Sequence, residues 1–219
     1  MRRAIKGLLI KEFKLMKINL RFFIIIMIVW GALMASQFGG TFIVGYTAML
    51  FSFLTVTTFS YDEFENGAVY LFTLPVLRRD YIREKYLFGF LISTLPTILA
   101  SMMLWIADSV WGEAEHPGVY LLSVVVSLPV AYLILALEIP LLVRFGSEKS
   151  RLISVSMLGC TSIGYGILHE LTGVDSTEAA SSIAALGTWV LILLAVAALV
   201  VLVMISYKIS CRFMEKKEF

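Results

Sequence analysis

The sequence contains few charged residues and lacks basic residues altogether over three long intervals. Only 16% of its 219 residues are charged, and no lysine or arginine occurs in residues 22–77, 86–143 or 152–207. Soluble globular domains carry about 25% charged residues, so the composition excludes that class. The hydrophobic fraction of 59% and the mean hydropathy of +0.89 instead indicate an integral membrane protein.

Motifs for nucleotide, metal or disulfide chemistry are also missing. The chain has no G-x-x-x-x-G-K-[ST] sequence and no Gly-Lys pair, which excludes ATP binding through a P-loop. His169 precedes Glu170, but Gly173 stands where a zinc-binding helix needs its second histidine. Cys160 and Cys211 are expected at different membrane depths, where they cannot pair. We therefore expect no catalytic residue, no metal site and no cofactor in this chain.

The basic residues form four clusters, separated by apolar stretches of membrane-spanning length. The clusters lie in residues 1–21, 78–85, 144–151 and 208–217. The predicted spans are 18–37, 41–60, 86–107, 118–143, 152–170 and 184–207. Because lysine and arginine mark cytoplasmic loops, both termini are predicted to be cytoplasmic. The sequence thus predicts an all-α plasma-membrane protein with six transmembrane helices in a single domain, 1–219, and no nucleic-acid partner.

Residues 1–17 are predicted to form an amphipathic helix in the membrane interface. Apolar residues from Ile5 to Leu20 recur at three- and four-residue steps, and six basic residues occupy the other face. An anchor that only sets the topology is the alternative interpretation. In either case the basic residues can contact anionic lipid head groups, so membrane lipids are expected partners.

The cytoplasmic segment 61–85 is predicted to contain a short helix with an apolar face. Pro75 ends this helix because proline has no amide donor and clashes with the preceding turn. The apolar face comprises Phe64, Ala68, Leu71, Phe72 and Pro75, and the polar face comprises Asp62, Glu63, Glu65 and Asn66. An amphipathic element of this kind is suited to docking in a groove of another protein.

Three short motifs, spread over the first 149 residues, together indicate a relationship to a known family. The segment after the second span reads, in order, acidic residues, Gly67, Leu74-Pro75-Val76, Arg78 and Lys85-Tyr86. Leu8–Phe13 contains Lys11-Glu12, and residues 139–149 contain Ile139-Pro140-Leu141 and Phe145-Gly146 followed by Lys149. The combination resembles the ABC-2 type permeases, the membrane subunits of bacterial ATP-binding cassette exporters. Leu77 departs from the family's usual serine, which removes an expected helix N-cap, and Glu12 replaces the usual aspartate.

The resemblance implies a six-span, type V exporter-like permease with a coupling helix that docks on a separate ATPase subunit. ATP and Mg²⁺ would be bound by a dimer of these ATPase subunits. The permease would pair with a second copy or a paralogous permease, with the translocation path between them. The residues implied in ATPase coupling are Asp62, Glu63, Phe64, Glu65, Gly67, Leu71, Pro75 and Arg78.

Two further groups of residues are candidates for function. The turn around Gly146 would be a secondary cytoplasmic contact and hinge, formed by Arg144, Gly146, Glu148 and Lys149, although an ordinary positive-inside turn is equally compatible. Glu138 lies within a predicted span. It is read either as a gate or substrate contact or as a boundary glutamate that is solvated or paired with a nearby basic residue. His169 and Glu170, at the outer end of the fifth span, are the other candidates for a gate or pathway.

The cargo is expected to be a hydrophobic or amphipathic peptide. Two alternative functions stay open at this stage. The first is an immunity or sensing membrane protein that binds a peptide without moving it. The second is a membrane-embedded enzyme, which would require a cluster of inward-facing acids, histidine or serine that Glu138 alone does not supply.

Overall fold

In the computed structural model, every regular element of the described residues is an α-helix. The structure describes residues 2–38, 41–63, 67, 71, 73, 77–111, 117–172 and 188–217. Within these ranges the helices are α1 (Arg2–Phe38), α2 (Thr41–Glu63), α3 (Arg78–Trp111), α4 (Pro117–Thr172) and α5 (Thr188–Lys216). This part of the chain contains no β-strand, which confirms the predicted all-α class.

Several of these helices meet the requirements of a membrane span by length and composition. Four stretches of the described chain do so: Phe42–Glu63, Arg78–Val110, Pro117–Ser150 and Val196–Lys216. A shorter apolar stretch, Leu20–Val29, lies within α1. The protein is therefore a multi-pass membrane protein, as predicted. The prediction of six spans is not confirmed, because four stretches of the described residues meet these requirements.

Helix α1 combines two elements that the sequence had separated. The predicted interfacial segment 1–17 and the predicted first span 18–37 form one continuous helix of 37 residues. Neither glycine nor proline occurs between residues 8 and 30, so no residue there favours a break. At about 1.5 Å per residue such a helix exceeds the hydrocarbon thickness of about 30 Å, so part of it must extend beyond the bilayer core.

Helix α3 begins well before its predicted span. The hydropathy pattern set the start of the span at residue 86, but the helix starts at Arg78. The carbonyl oxygen of Leu77 accepts hydrogen bonds from the amides of Asp80 and Tyr81, at 2.9 and 3.1 Å. Asp80 in the first turn also interacts favourably with the helix dipole. The helix therefore starts here without the serine cap that the sequence lacks.

Helix α4 contains a single break. Residues 144–151 were predicted to be a turn between the fourth and fifth spans, but they are helical except at Gly146, where φ is 79° and ψ is 170°. This left-handed conformation is easily adopted only by glycine. The structure thus narrows the predicted turn to one residue.

The core lies at the end of the bundle that carries the basic residues. Helix α2 contacts α1, α3 and α4, and α5 contacts α3 and α4. Buried residues from all five helices and from the segment after α2 form one cluster: Leu8, Val56, Phe59, Leu71, Tyr81, Ile82, Tyr86, Leu135, Ile139, Leu142, Val143 and Met214. Helices α2, α3 and α4 approach closely at Gly89, where a Cβ would lie 3.1 Å from Leu135 and 3.2 Å from Thr55 Oγ1. A small residue at this position allows the close packing typical of membrane helices.

Candidate functional site

The predicted coupling segment is attached to the bundle at both of its ends. Helix α2 ends at Glu63 and α3 begins at Arg78, so the segment between them connects two helices of the core. Phe64, Glu65 and Pro75, three of the predicted coupling residues, lie outside the described residues. The structure places the other five, which are Asp62, Glu63, Gly67, Leu71 and Arg78.

An ion-pair cluster lies beside the segment, and Lys85 is at its centre. The Lys85 ammonium is 2.8 Å from Oε1 of Glu12 and 2.8 Å from Oδ2 of Asp62. The side chains of Lys85 and Glu12 are completely buried, and that of Asp62 is 9% exposed. The ammonium also lies 4.6 Å from the centre of the Phe59 ring. An unpaired charge at this depth is costly, and each of these three charges has a partner in the cluster.

Two further residues complete the cluster. Lys11 lies 3.0 Å from Glu12 Oε1 and donates a hydrogen bond to Asp62 Oδ1. The hydroxyl of Tyr81 donates to Asp62 Oδ2 at 2.9 Å. Asp62 therefore accepts hydrogen bonds from one residue of α1 and one of α3 and forms an ion pair with Lys85. We call Lys11, Glu12, Asp62, Tyr81 and Lys85 the ion cluster.

The ion cluster joins α1 to both flanks of the segment. Asp62 lies immediately before residues 64–77, and Tyr81 and Lys85 lie on the first turns after them. The sequence had placed Asp62 on the exposed polar face of a docking helix, whereas the structure turns its carboxylate into the bundle. Lys11 was likewise assigned to the polar face of an interfacial helix, and its charge points toward Asp62 instead.

Sequence reasoning missed four members of the ion cluster as site residues: Lys11, Glu12, Tyr81 and Lys85. A signal was nevertheless present. Lys85 stands next to the start of an apolar stretch, where an isolated charge requires a partner. The opening motif contains the adjacent pair Lys11-Glu12. Nothing in the local pattern, however, relates two positions that are 73 residues apart.

Glu63 links the segment to the break in α4. Its Oε2 accepts a 2.6 Å hydrogen bond from the backbone amide of Ser147, the first residue after the break. Its Oε1 lies 3.4 Å from the ammonium of Lys217. A carboxylate at the start of a helix satisfies a free amide and interacts favourably with the helix dipole. Two predicted sites thus lie side by side, because Glu63 bonds to the residue that follows Gly146.

Arg78 and its neighbour connect the start of α3 to the end of α5. The Arg78 guanidinium donates to the carbonyl oxygens of Met214 and Glu215, at 3.2 and 2.8 Å. Arg79 forms an ion pair with the Glu215 carboxylate at 2.6 Å. The last carbonyls of a helix have no partner within it, so Arg78 caps α5.

The remaining residues of the α4 turn face outward. Arg144, Glu148 and Lys149 are exposed. The Arg144 guanidinium packs between two aromatic rings, 5.0 Å from the centre of Phe145 and 5.1 Å from that of Phe213. Of the four predicted contact residues in this turn, Gly146 is the one described beside the end of α2, since a Cβ built there would lie 3.3 Å from the Glu63 carboxylate oxygens.

Glu138 is buried in α4, with 7% of its surface exposed. Its Oε2 has no hydrogen-bond partner within the described part of the chain, and no ion pair with a described basic residue is found. The interpretation as a paired boundary glutamate is therefore not supported. The backbones of His169 and Glu170 belong to α4, but their side chains lie outside the described residues. In the described ranges no three histidine, cysteine or acidic residues are grouped as metal ligands.

Comparison with known proteins gives one match. The sequence model of a family described as ABC-2 family transporter protein matches residues 7–215, which is nearly the whole chain. The matched region includes the ion cluster, the segment after α2 and the break in α4. A search of curated proteins and a search of solved structures each find no match.

Proposed function

Because the chain belongs to the ABC-2 transporter family, we propose that it is the permease of an ATP-driven exporter whose ATPase is a separate subunit. The observation that carries the proposal is the ion cluster, which joins α1, α2 and α3 around the two ends of residues 64–77. An element that transmits force needs rigid attachment to the bundle.

Three contacts would distribute a displacement of this segment over the helices. The ion cluster carries it to α1, the bond between Glu63 and Ser147 carries it to the break in α4, and Arg78 carries it to the end of α5. A push by the ATPase would thus reach all five helices at their basic ends. Asp62 acts within the bundle in this scheme, and the direct contacts with the ATPase are made by Glu65, Gly67 and the exposed Thr73.

The other parts of the proposal concern assembly and cargo. Two permeases, identical or paralogous, enclose the pathway and bind an ATPase dimer that holds ATP and Mg²⁺. The chain crosses a bacterial plasma membrane six times with both termini in the cytoplasm, an orientation supported by the distribution of its basic residues. The cargo is a hydrophobic or amphipathic peptide, and Glu138, His169 and Glu170 are candidates for its path.

The proposal is tested by blocking the segment selectively. In a background without Cys160 and Cys211, Thr73→Cys is modified with a bulky maleimide before the ATPase is added. Modification should abolish copurification of the ATPase and the stimulation of its activity. Lys14→Cys, exposed on α1, is the matched control and should retain both after modification.

Full copurification and full stimulation with modified Thr73→Cys would place the docking surface elsewhere. Export is measured separately with reconstituted vesicles and amphipathic peptides. ATPase binding without peptide-stimulated hydrolysis and without export would favour the non-transporting, sensing function.

A further inference from the structure

A groove of about 490 Å³ runs between α3 and α5. Its walls are apolar and are formed mainly by Leu87 and Phe90 of α3 and by Val203 and Met204 of α5. Leu87 and Met204 are 45% and 59% exposed, so the groove opens on the apolar surface of the bundle. In a membrane protein this surface faces lipid tails.

Basic residues lie at one end of the groove. Arg83 and Lys208 are both exposed and line the groove from opposite helices. The Arg83 guanidinium donates from Nε to the hydroxyl of Tyr207 at 3.0 Å, which holds it at the groove. Asp80 lies 3.8 Å from Arg83 and is the one acidic partner among the described residues at this end. The end therefore carries an excess positive charge.

The floor of the groove keeps the two helices at a defined separation. The hydroxyl of Tyr86 bonds to Ser206 and, at 3.1 Å, to Ser210. Ser206 in turn donates to the carbonyl oxygen of Ala136 in α4. All three side chains are buried. These hydrogen bonds join α3, α5 and α4 at the floor of the groove.

We propose that this groove is a binding site for one anionic phospholipid. The phosphate lies between Arg83 and Lys208, and one acyl chain follows the apolar walls toward the middle of the membrane. A lipid with a negative head group matches both the charged end and the apolar walls. Basic pockets between membrane helices near the head-group level bind anionic lipids by this combination. The site is independent of the proposed coupling to an ATPase.

The test measures lipid binding to the purified full-length protein in detergent. Native mass spectrometry compares palmitoyl-oleoyl phosphatidylglycerol with phosphatidylcholine that has the same acyl chains. The wild type should bind one phosphatidylglycerol more tightly than phosphatidylcholine. Arg83→Gln with Lys208→Gln should weaken phosphatidylglycerol binding about 30-fold, since each basic residue near the head group contributes about fivefold. Lys14→Gln with Lys17→Gln, which removes the same charge from exposed sites on α1, should leave it unchanged.

A second pair of variants tests the apolar walls. Met204→Trp, on α5, fills the groove and should reduce phosphatidylglycerol binding. Met103→Trp, at an exposed position of α3 outside the groove, should not reduce it. Equal binding of the two lipids to the wild type, or equal losses in both charge variants, would overturn the proposal. Competition by free glycerol 3-phosphate at similar concentrations would also overturn it, because the site would then recognise a small anion.

Discussion

Lys85 and Glu12 form an ion pair of 2.8 Å in which both side chains are fully buried. The pair connects α1 to α3 across 73 residues of sequence. Asp62 shares the same ammonium, so Lys85 pairs with carboxylates from two other helices, and Lys11 pairs with both of them as well. The basic end of the bundle is therefore assembled around a fully buried lysine.

Replacement of this charge should strongly destabilise the bundle. Lys85→Met leaves the carboxylates of Glu12 and Asp62 with Lys11 as their one remaining basic partner among the described residues. Loss of one partner of a buried ion pair costs about 3–5 kcal/mol. The midpoint of thermal unfolding in detergent should fall clearly. Lys14→Met removes an exposed lysine of α1 and should change the midpoint little. Equal midpoints for the two variants would show that the ion cluster does not stabilise the fold.

A side chain at position 146 should strain the break in α4. Gly146→Ala forces a left-handed conformation on an alanine, at a cost of about 1–2 kcal/mol. Its Cβ would also lie 3.3 Å from both carboxylate oxygens of Glu63. Under the proposed coupling, export should fall while membrane insertion and ATPase binding stay normal.

The matched control for this change is Gly7→Ala. A Cβ at position 7 would meet nothing within 4 Å, so the variant should be neutral or slightly stabilising. Wild-type export and stability in Gly146→Ala would show that the break tolerates other conformations and does not act as a hinge.

Loss of the Glu63 carboxylate should loosen the helix that follows the break. Glu63→Ala removes the acceptor for the Ser147 amide, and caps of this kind contribute about 0.5–2 kcal/mol. Hydrogen exchange measured by mass spectrometry should then accelerate in residues 147–150. Glu148→Ala, which changes an exposed acid in the same turn, should leave these rates near the wild-type values. Unchanged exchange in Glu63→Ala would mean that the bond contributes little to the order of this turn.

The distribution of basic residues predicts which loops are accessible from outside. In a background without Cys160 and Cys211, Glu115→Cys and Ser176→Cys should react with an impermeant maleimide in intact cells. Asn66→Cys should react only after the cells are opened, because the distribution of basic residues predicts that residues 61–85 are cytoplasmic. Labelling of Asn66→Cys in intact cells would contradict the cytoplasmic placement of the segment.

Local patterns in the sequence were sufficient for the class and for parts of the candidate site. Membrane helices follow from continuous apolar stretches, and the helix break was located to within a few residues because Gly146 stands between basic residues. Helix ends were less predictable. Hydropathy marks where the apolar residues begin, which is residue 86 for α3. Backbone hydrogen bonding starts this helix two turns earlier, at Arg78, within a charged stretch of the sequence.

The pairing of charges was decided by the tertiary structure alone. Helical periodicity assigned Lys11 and Asp62 to exposed polar faces, because it evaluates each helix without its neighbours. In the fold Lys11 and Lys85 both pair with Asp62, and the free energy of a buried charge depends on such a distant partner. The sequence by itself therefore determined a helical membrane protein of the ABC-2 type. Only the packing of α1, α2 and α3 determined which charges point inward, since a buried ion pair is a property of two segments and cannot be read from either one.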